Sequence, residues 1–405
     1  MRKYKIAFIG TGGRSVAYGK HYAENEEIEV VALCDTSADH RKAMATKSGL
    51  PQTYVEYDDF RDMLNEQSDL DGVVIASPNH LHAEHAVPCL ERGLPIALEK
   101  PLDATLENCE KIIDAAVANN GRTILGFVLR STPFYSKIFE LLADKAIGRV
   151  TAIQADELPG LGVTSIMNRS FWRRFNESSG GAMLEKCCHD MDVFNWLLDS
   201  RPRALNSFGS KLIFTANPAA ADECDKCDLA ESCRYYMKPA FSDHEDDGEE
   251  TMYEFIRQKN LCIYNIASDA PDTQSVNIEY ENGAIVNFLL NFDCEGPKTG
   301  RNFHATGATG RIWGNLHDAE VFHYDNRTGE TVRYDCSGDG SGHGGGDKLH
   351  ALQLLKMIKE PNYRPKQNAA AGYLAAVMCF AADYSMLEKK RVVFDYQQDG
   401  RVTWA

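Results

Sequence analysis

The 405-residue chain is 43% hydrophobic and 25% charged with a formal net charge of −16, an ordinary globular composition long enough for two domains. So acidic a chain offers no basic face to release counterions from phosphates, which sets nucleic acid and anionic membranes aside as expected partners. No apolar stretch is expected to reach the length of a membrane span. The Met1-Arg2-Lys3-Tyr4 start runs into strand without a signal-peptide layout, so the cytoplasm is the default, and the 12 cysteines read as small buried apolar residues rather than a disulfide framework.

In chain order, Lys5 to Ile9 is a compact apolar strand followed by Gly10-Thr11-Gly12-Gly13-Arg14-Ser15 and a helical stretch from Val16 to Asn25. This is a dinucleotide fingerprint with serine in the third small position. Gly10 permits the tight turn, Gly12 lets the backbone approach a pyrophosphate, and the helix beyond offers free N–H groups. A second apolar strand, Glu29 to Cys34, ends in Asp35. An acid there accepts ribose hydroxyls and repels a 2′-phosphate, which favours NAD over NADP; locally, Asp35 reads equally well as a cap for the helix from Ser37. Asp71 to Ala76 is the next buried strand, with the loop Ser77-Pro78-Asn79-His80-Leu81-His82, and Pro95 to Leu98 is closed by Glu99-Lys100-Pro101. Loops at strand carboxyl ends converge on one crevice, so Ser77, Asn79, His82, Glu99 and Lys100 are expected around the nicotinamide end.

The runs GTGGRS, DTS, ASPNHLH and LEKP, followed by GFVLRSTPFY from Gly126, AIGRV from Ala146, FWRR from Phe171 and GGAMLEKCCHDMD from Gly180, together resemble the Gfo/Idh/MocA family of NAD(P)-dependent oxidoreductases. The resemblance covers nearly the whole chain. It implies an α/β protein with an N-terminal Rossmann dinucleotide-binding domain over 1–128 and a C-terminal α/β domain over 129–405. The second domain would be built on a large, mostly antiparallel sheet used for oligomer contacts, giving a homo-oligomer such as a dimer or tetramer.

Met183 to Leu198 carries apolar residues at helical spacing, and Glu185 and His189, four apart, share one face. The family typically places an aspartate four residues before this histidine, with a glycine between. Here Glu185 takes the acid's place and Cys187-Cys188 the glycine's. Glu185 is therefore read either as orienting His189 or as holding a substrate hydroxyl, and Lys186 as structural. His189, whose imidazole titrates at about 6.5 when unperturbed, suits the role of base, and Lys100 that of a cation beside a developing alkoxide. Arg130 in the GFVLRSTPFY run is read as facing the cofactor or as a surface ion pair.

Between about 218 and 262 the sequence turns polar, and Cys224, Cys227, Cys233 and Cys262 lie within or beside that stretch. Their spacing suits a structural zinc, with free thiols as the alternative. Ser275 to Tyr280 with Ala284 to Phe292, and Val321 to Tyr324 with Thr331 to Tyr334, read as hairpins. Ser341 to Asp347 is a glycine-rich loop in which His343 is a candidate second acid or base, and a flexible connector is the plainer reading. The alanine-rich helix Asn368 to Leu387 and the strand Arg391 to Asp395 close the chain.

These features favour a sugar or polyol dehydrogenase whose small carbohydrate substrate is held by Glu185, His189, Asp156 and Arg173. A redox-assisted NAD-dependent glycosidase using His343 is the alternative. A non-catalytic NAD-binding sensor or scaffold is the third reading.

Overall fold

The computed structural model describes residues 2–237, 260–338 and 346–405. The first third forms six parallel strands, β1 (Tyr4–Ile9), β2 (Ile28–Cys34), β3 (Val55–Tyr57), β4 (Gly72–Ile75), β5 (Ile96–Leu98) and β6 (Thr123–Leu125), in the order β3-β2-β1-β4-β5-β6. Short runs such as Gly72-Val73-Val74-Ile75 are apolar throughout because both faces of a parallel sheet are covered. The connecting helices are α1 (Gly13–Ala23), α2 (Ala38–Ser48), α3 (Phe60–Glu66), α4 (His82–Glu91) and α5 (Leu106–Ala118).

Beyond β6 come α6 (Pro133–Ala143), β7 (Val150–Leu158), α7 (Leu161–Arg169), the short α8 (Asn176–Ser179), α9 (Ala182–Leu198) and β8 (Pro202–Ser210). The strands β9 (Thr273–Tyr280), β10 (Ile285–Asn291), β11 (Gly300–Gly307), β12 (Gly310–Asn315), β13 (Glu320–Asp325) and β14 (Thr331–Asp335) follow. The helices α10 (Gly346–Lys359) and α11 (Ala369–Glu388) and the strands β15 (Val392–Tyr396) and β16 (Val402–Trp404) end the chain. Ten strands make one sheet, β14-β13-β12-β11-β7-β10-β9-β8-β15-β16, antiparallel except where β7 and β10 run together. Both expected hairpins are present, β9 with β10 and β13 with β14.

Two late helices depart from the sequence reading. Helix α10 returns to the first sheet, where Ala351, Leu354, Leu355 and Met357 share a core with Phe8, Tyr18, Tyr22 and Val74. Residues far beyond 128 thus complete the nucleotide-binding half. Helix α11 is long and apolar enough to cross a membrane, contrary to the expectation that no stretch reaches that length. Its alanines instead let it pack closely on α5, α9 and β8, and a core helix buried on several sides needs the same composition as a membrane span.

Candidate active site between the two domains

The loops that follow β1, β4 and β5 converge at the carboxyl edge of the first sheet. Gly10 sits at a φ of +83°, and a Cβ there would fall 2.5 Å from the backbone nitrogen of Ser77, so only glycine allows the first and fourth strand ends to approach. A Cβ added at Gly12 or Gly13 meets nothing within 4 Å, so this backbone lies open to a ligand. The first turn of α1 contains no acid, leaving its N–H groups and partial positive charge for a pyrophosphate. The cradle fits a dinucleotide.

Asp35 closes β2. It accepts hydrogen bonds from the Thr11 N–H at 2.8 Å, the Thr11 hydroxyl at 3.1 Å and the Ser37 N–H at 3.0 Å, tying the glycine loop to the end of the second strand. Burial opposes its ionisation, but His40 and these backbone donors outweigh that and hold the carboxyl below its usual range. Capping of α2 falls to Ser37, whose side chain accepts from the His40 N–H.

Arg14 and Glu99, expected at the cofactor, turn toward each other behind the loop. The Arg14 Nε and Nη2 donate to Glu99 Oε1 at 3.1 and 2.9 Å, the Tyr18 hydroxyl donates to the same oxygen at 3.1 Å, and Arg14 also meets Asp347 of α10 at 3.1 Å. Glu99 is 4% exposed, so a cation is needed against it. Burial opposes its charge, and Arg14 holds the carboxyl low nonetheless. His82 is fully buried with its ring nitrogens on the carbonyl oxygens of Pro101 and Ser77 at 2.9 and 3.0 Å. It staples two loops together rather than lining a ligand surface. The Ser77 hydroxyl is taken by His85 at 2.9 Å.

Lys100 extends in the opposite direction from Glu99, across to α9. Its ammonium donates to the carbonyl oxygen of Glu185 at 2.8 Å and lies 3.4 Å from the Glu185 carboxylate. In an α-helix that carbonyl is also the one assigned to the N–H of His189, four residues on, so the ammonium and the histidine share one helical turn. The His189 ring packs against Phe127, just past β6, with centroids 5.7 Å apart. The Glu185 carboxylate also accepts from Asn79 at 2.7 Å and from Arg173 Nε at 3.1 Å. Burial opposes ionisation of Glu185, but Lys100, Arg173 and the Asn79 hydrogen bond keep its carboxyl below the usual range. Glu185 therefore anchors the cations and Asn79 that cross from neighbouring elements, a role the sequence reading did not consider.

Sequence reasoning missed the other side of α9. Lys186 lies 3.1 Å from Glu157 of β7, Arg301 of β11 lies 3.0 Å from the same Glu157, and Arg301 Nε donates to Asp190 at 2.8 Å. Arg130 is not a superficial ion pair: it pairs with the buried Asp192 at 2.7 Å. The buried acids Asp190 and Asp192 within this mostly buried helix were the available signal, since such groups require partners when buried. Asp156, a candidate substrate contact, is placed by the same geometry. Side chains alternate along a strand, and with Glu157 turned to α9, Asp156 lies on the opposite sheet face, accepting from Asn302 at 2.8 Å.

Cys224, Cys227, Cys233 and Cys262 do line one cavity of about 340 Å³. Among the described residues, however, no group of three or more metal-ligating side chains is arranged to hold an ion, so the expected zinc gains no support. The guanidinium of Arg169 reaches into the cluster, 3.7 Å from Cys224 Sγ. His343 lies outside the described residues.

A glycine-cradled Rossmann half facing a helix that carries a histidine beside the other half's lysine defines a dinucleotide-dependent oxidoreductase. Residues 4–127 match the description "oxidoreductase family, NAD-binding Rossmann fold" and residues 135–313 the "GFO/IDH/MocA C-terminal domain". The chain belongs to the Gfo/Idh/MocA family of oxidoreductases, and its first domain is an NAD-binding Rossmann domain. A Bacillus subtilis (strain 168) protein named as an oxidoreductase, YteT, is 26% identical over 96% of this chain and 97% of its own. An inositol 2-dehydrogenase of Salmonella typhimurium (strain LT2) is 27% identical over 42% of this chain and 47% of its own, less than half its length. The same fold is found in a levoglucosan dehydrogenase solved with NADH and levoglucosan, at 20% identity and a TM-score of 0.74 over 97% of this chain and 99% of that one.

Proposed function

We propose that the protein is an NAD-dependent dehydrogenase that oxidises a secondary hydroxyl of a small sugar or polyol. The observation that carries this reading is the Lys100 ammonium on the Glu185 carbonyl at 2.8 Å, which brings a cation of one domain to the helical turn that holds the imidazole of the other. When bound, the nicotinamide supplies the acceptor for hydride leaving the substrate carbon. His189 takes the hydroxyl proton at a ring nitrogen, a role worth about 10²–10⁴-fold. Lys100 stabilises the oxygen as negative charge develops there, and does so more strongly in a crevice shielded from water. Glu185 holds Lys100 and Arg173 in place and contributes their countercharge.

The dehydrogenase names among the relatives, inositol 2-dehydrogenase and levoglucosan dehydrogenase, support a polyhydroxylated substrate. The glycosidase reading gains no such support. As part of the same proposal, the outer face of the ten-stranded sheet, where Phe208, Ile285 and Val393 are exposed, joins copies of the chain into a dimer or tetramer. To test the function, the protein is incubated with NAD and a panel of free sugars and polyols while NADH is recorded by absorbance. Substrate-dependent NADH formation is expected, and its absence across the panel favours a non-catalytic NAD-binding protein.

A further inference from the structure

The adenine-ribose end of the cradle holds a cation that the NAD reading leaves unexplained. Arg41 of α2 donates through Nη1 to the backbone carbonyl of Asp35, the residue whose carboxylate faces the ribose site. Its guanidinium is therefore next to where a 2′-phosphate of NADP would sit, and an arginine in that neighbourhood is the usual means of accepting one. Here it is already committed. Nε donates to Glu56 Oε2 at 2.8 Å and Nη1 to Asp58 Oδ1 at 2.7 Å. The Arg41 side chain is 8% exposed, while those of Glu56 and Asp58 are 43% and 80% exposed. The two acids thus stand between the buried guanidinium and the solvent from which a ligand arrives. They place two carboxylates on one arginine, whose further contact is the backbone carbonyl of Asp35.

We infer that Glu56 and Asp58 are specificity-determining residues for the dinucleotide: they reject NADP by sequestering Arg41, as a second barrier behind Asp35. This inference rests on the NAD-dependent reading above and extends it to residues outside the glycine fingerprint. Its consequence is that removing Asp35 alone does not admit NADP, because the phosphate still meets two acids and an arginine whose Nε and Nη1 donors are taken.

The test measures binding of NAD and of NADP by fluorescence titration, independent of turnover, in the wild type, Asp35→Ser, Asp35→Ser/Glu56→Gln/Asp58→Asn, and that triple variant with Arg41→Ala added. Asp35→Ser is expected to improve NADP binding by no more than about threefold. The triple variant should improve it by a further factor of about 10 to 100, the range for a charge-assisted hydrogen bond gained at a phosphate, and Arg41→Ala should abolish that gain. Glu56→Gln and Asp58→Asn, each combined with Asp35→Ser, should give intermediate gains and guard against misfolding of the triple variant. A triple variant no better than Asp35→Ser, or a gain that survives Arg41→Ala, overturns the inference. A wild type that binds NADP as tightly as NAD instead overturns the reading on which it rests.

Discussion

The two walls of the crevice hold their polar groups in different ways. On the nucleotide side the cofactor cradle is glycine backbone, a helix start and one acid, all between Gly10 and Asp35, and Thr11 meets that acid at 2.8 Å, with Arg14 behind the loop as the part that reaches far, to Glu99 and Asp347. On the facing side, α9 carries Glu185, Lys186, His189, Asp190 and Asp192 along a mostly buried helix. There Asp190 is matched by an arginine 111 residues away and Asp192 by one 62 residues away. A wall made of backbone tolerates change around it, whereas a wall made of buried charge depends on its partners.

The strongest way to break that contrast is to remove the cation shared by Glu157 and Asp190. Arg301→Ala is expected to cost about 3–5 kcal/mol in denaturant unfolding, the penalty for leaving buried carboxylates uncompensated. A loss below about 1 kcal/mol would show that α9 does not depend on its distant partners. Next in size, Glu185→Gln keeps the shape and an acceptor for Asn79 but removes the charge between Lys100 and Arg173. Turnover should fall about 10- to 100-fold while NAD affinity measured by titration stays within about threefold, because the group acts on the positions of the cations rather than on the cofactor cradle.

The smallest effect sharpens the comparison through pH. Asp383 of α11 is half-buried, with Gln274 donating to it at 2.9 Å, and desolvation holds its carboxyl up at about 6 against an ordinary 3.8. A raised acid is a burden when ionised: the cost is fully present above pH 6, shrinks as protons return, and is gone below about pH 4. Asp383→Asn should therefore stabilise the fold by about 1–2 kcal/mol at pH 8 and by nothing near pH 4. An equal gain at both pH values would mean that the carboxylate is not the source.

The same contrast explains what was legible in the sequence. The glycine loop, Asp35 and the strand that ends at Lys100 are recognised because their partners lie within one βαβ unit and backbone geometry dictates the residue types. Both hairpins are legible from alternation and turn residues. Three features are not. Helix α10 reads as a helix, but nothing local says that it covers the first sheet. Asp156 and Glu157 are adjacent acids, and only the strand's register with Arg301 decides which one faces α9. The cysteines have a ligand-like spacing, and only the fold reveals that Arg169 reaches in among them. In each case the deciding interaction is separated from its residue by tens to hundreds of positions.

The central claim is that Lys100 and His189, from opposite walls, act on one substrate hydroxyl. It is tested most directly by mixing NAD-loaded enzyme with a panel sugar or polyol that yields NADH, deuterated at the oxidised carbon, and following single-turnover transfer of deuterium to NAD in the wild type, Lys100→Ala and His189→Ala. The account predicts transfer in the wild type and a loss of about 10²–10⁴-fold in each variant with NAD still bound. Near-normal transfer in either variant would contradict it.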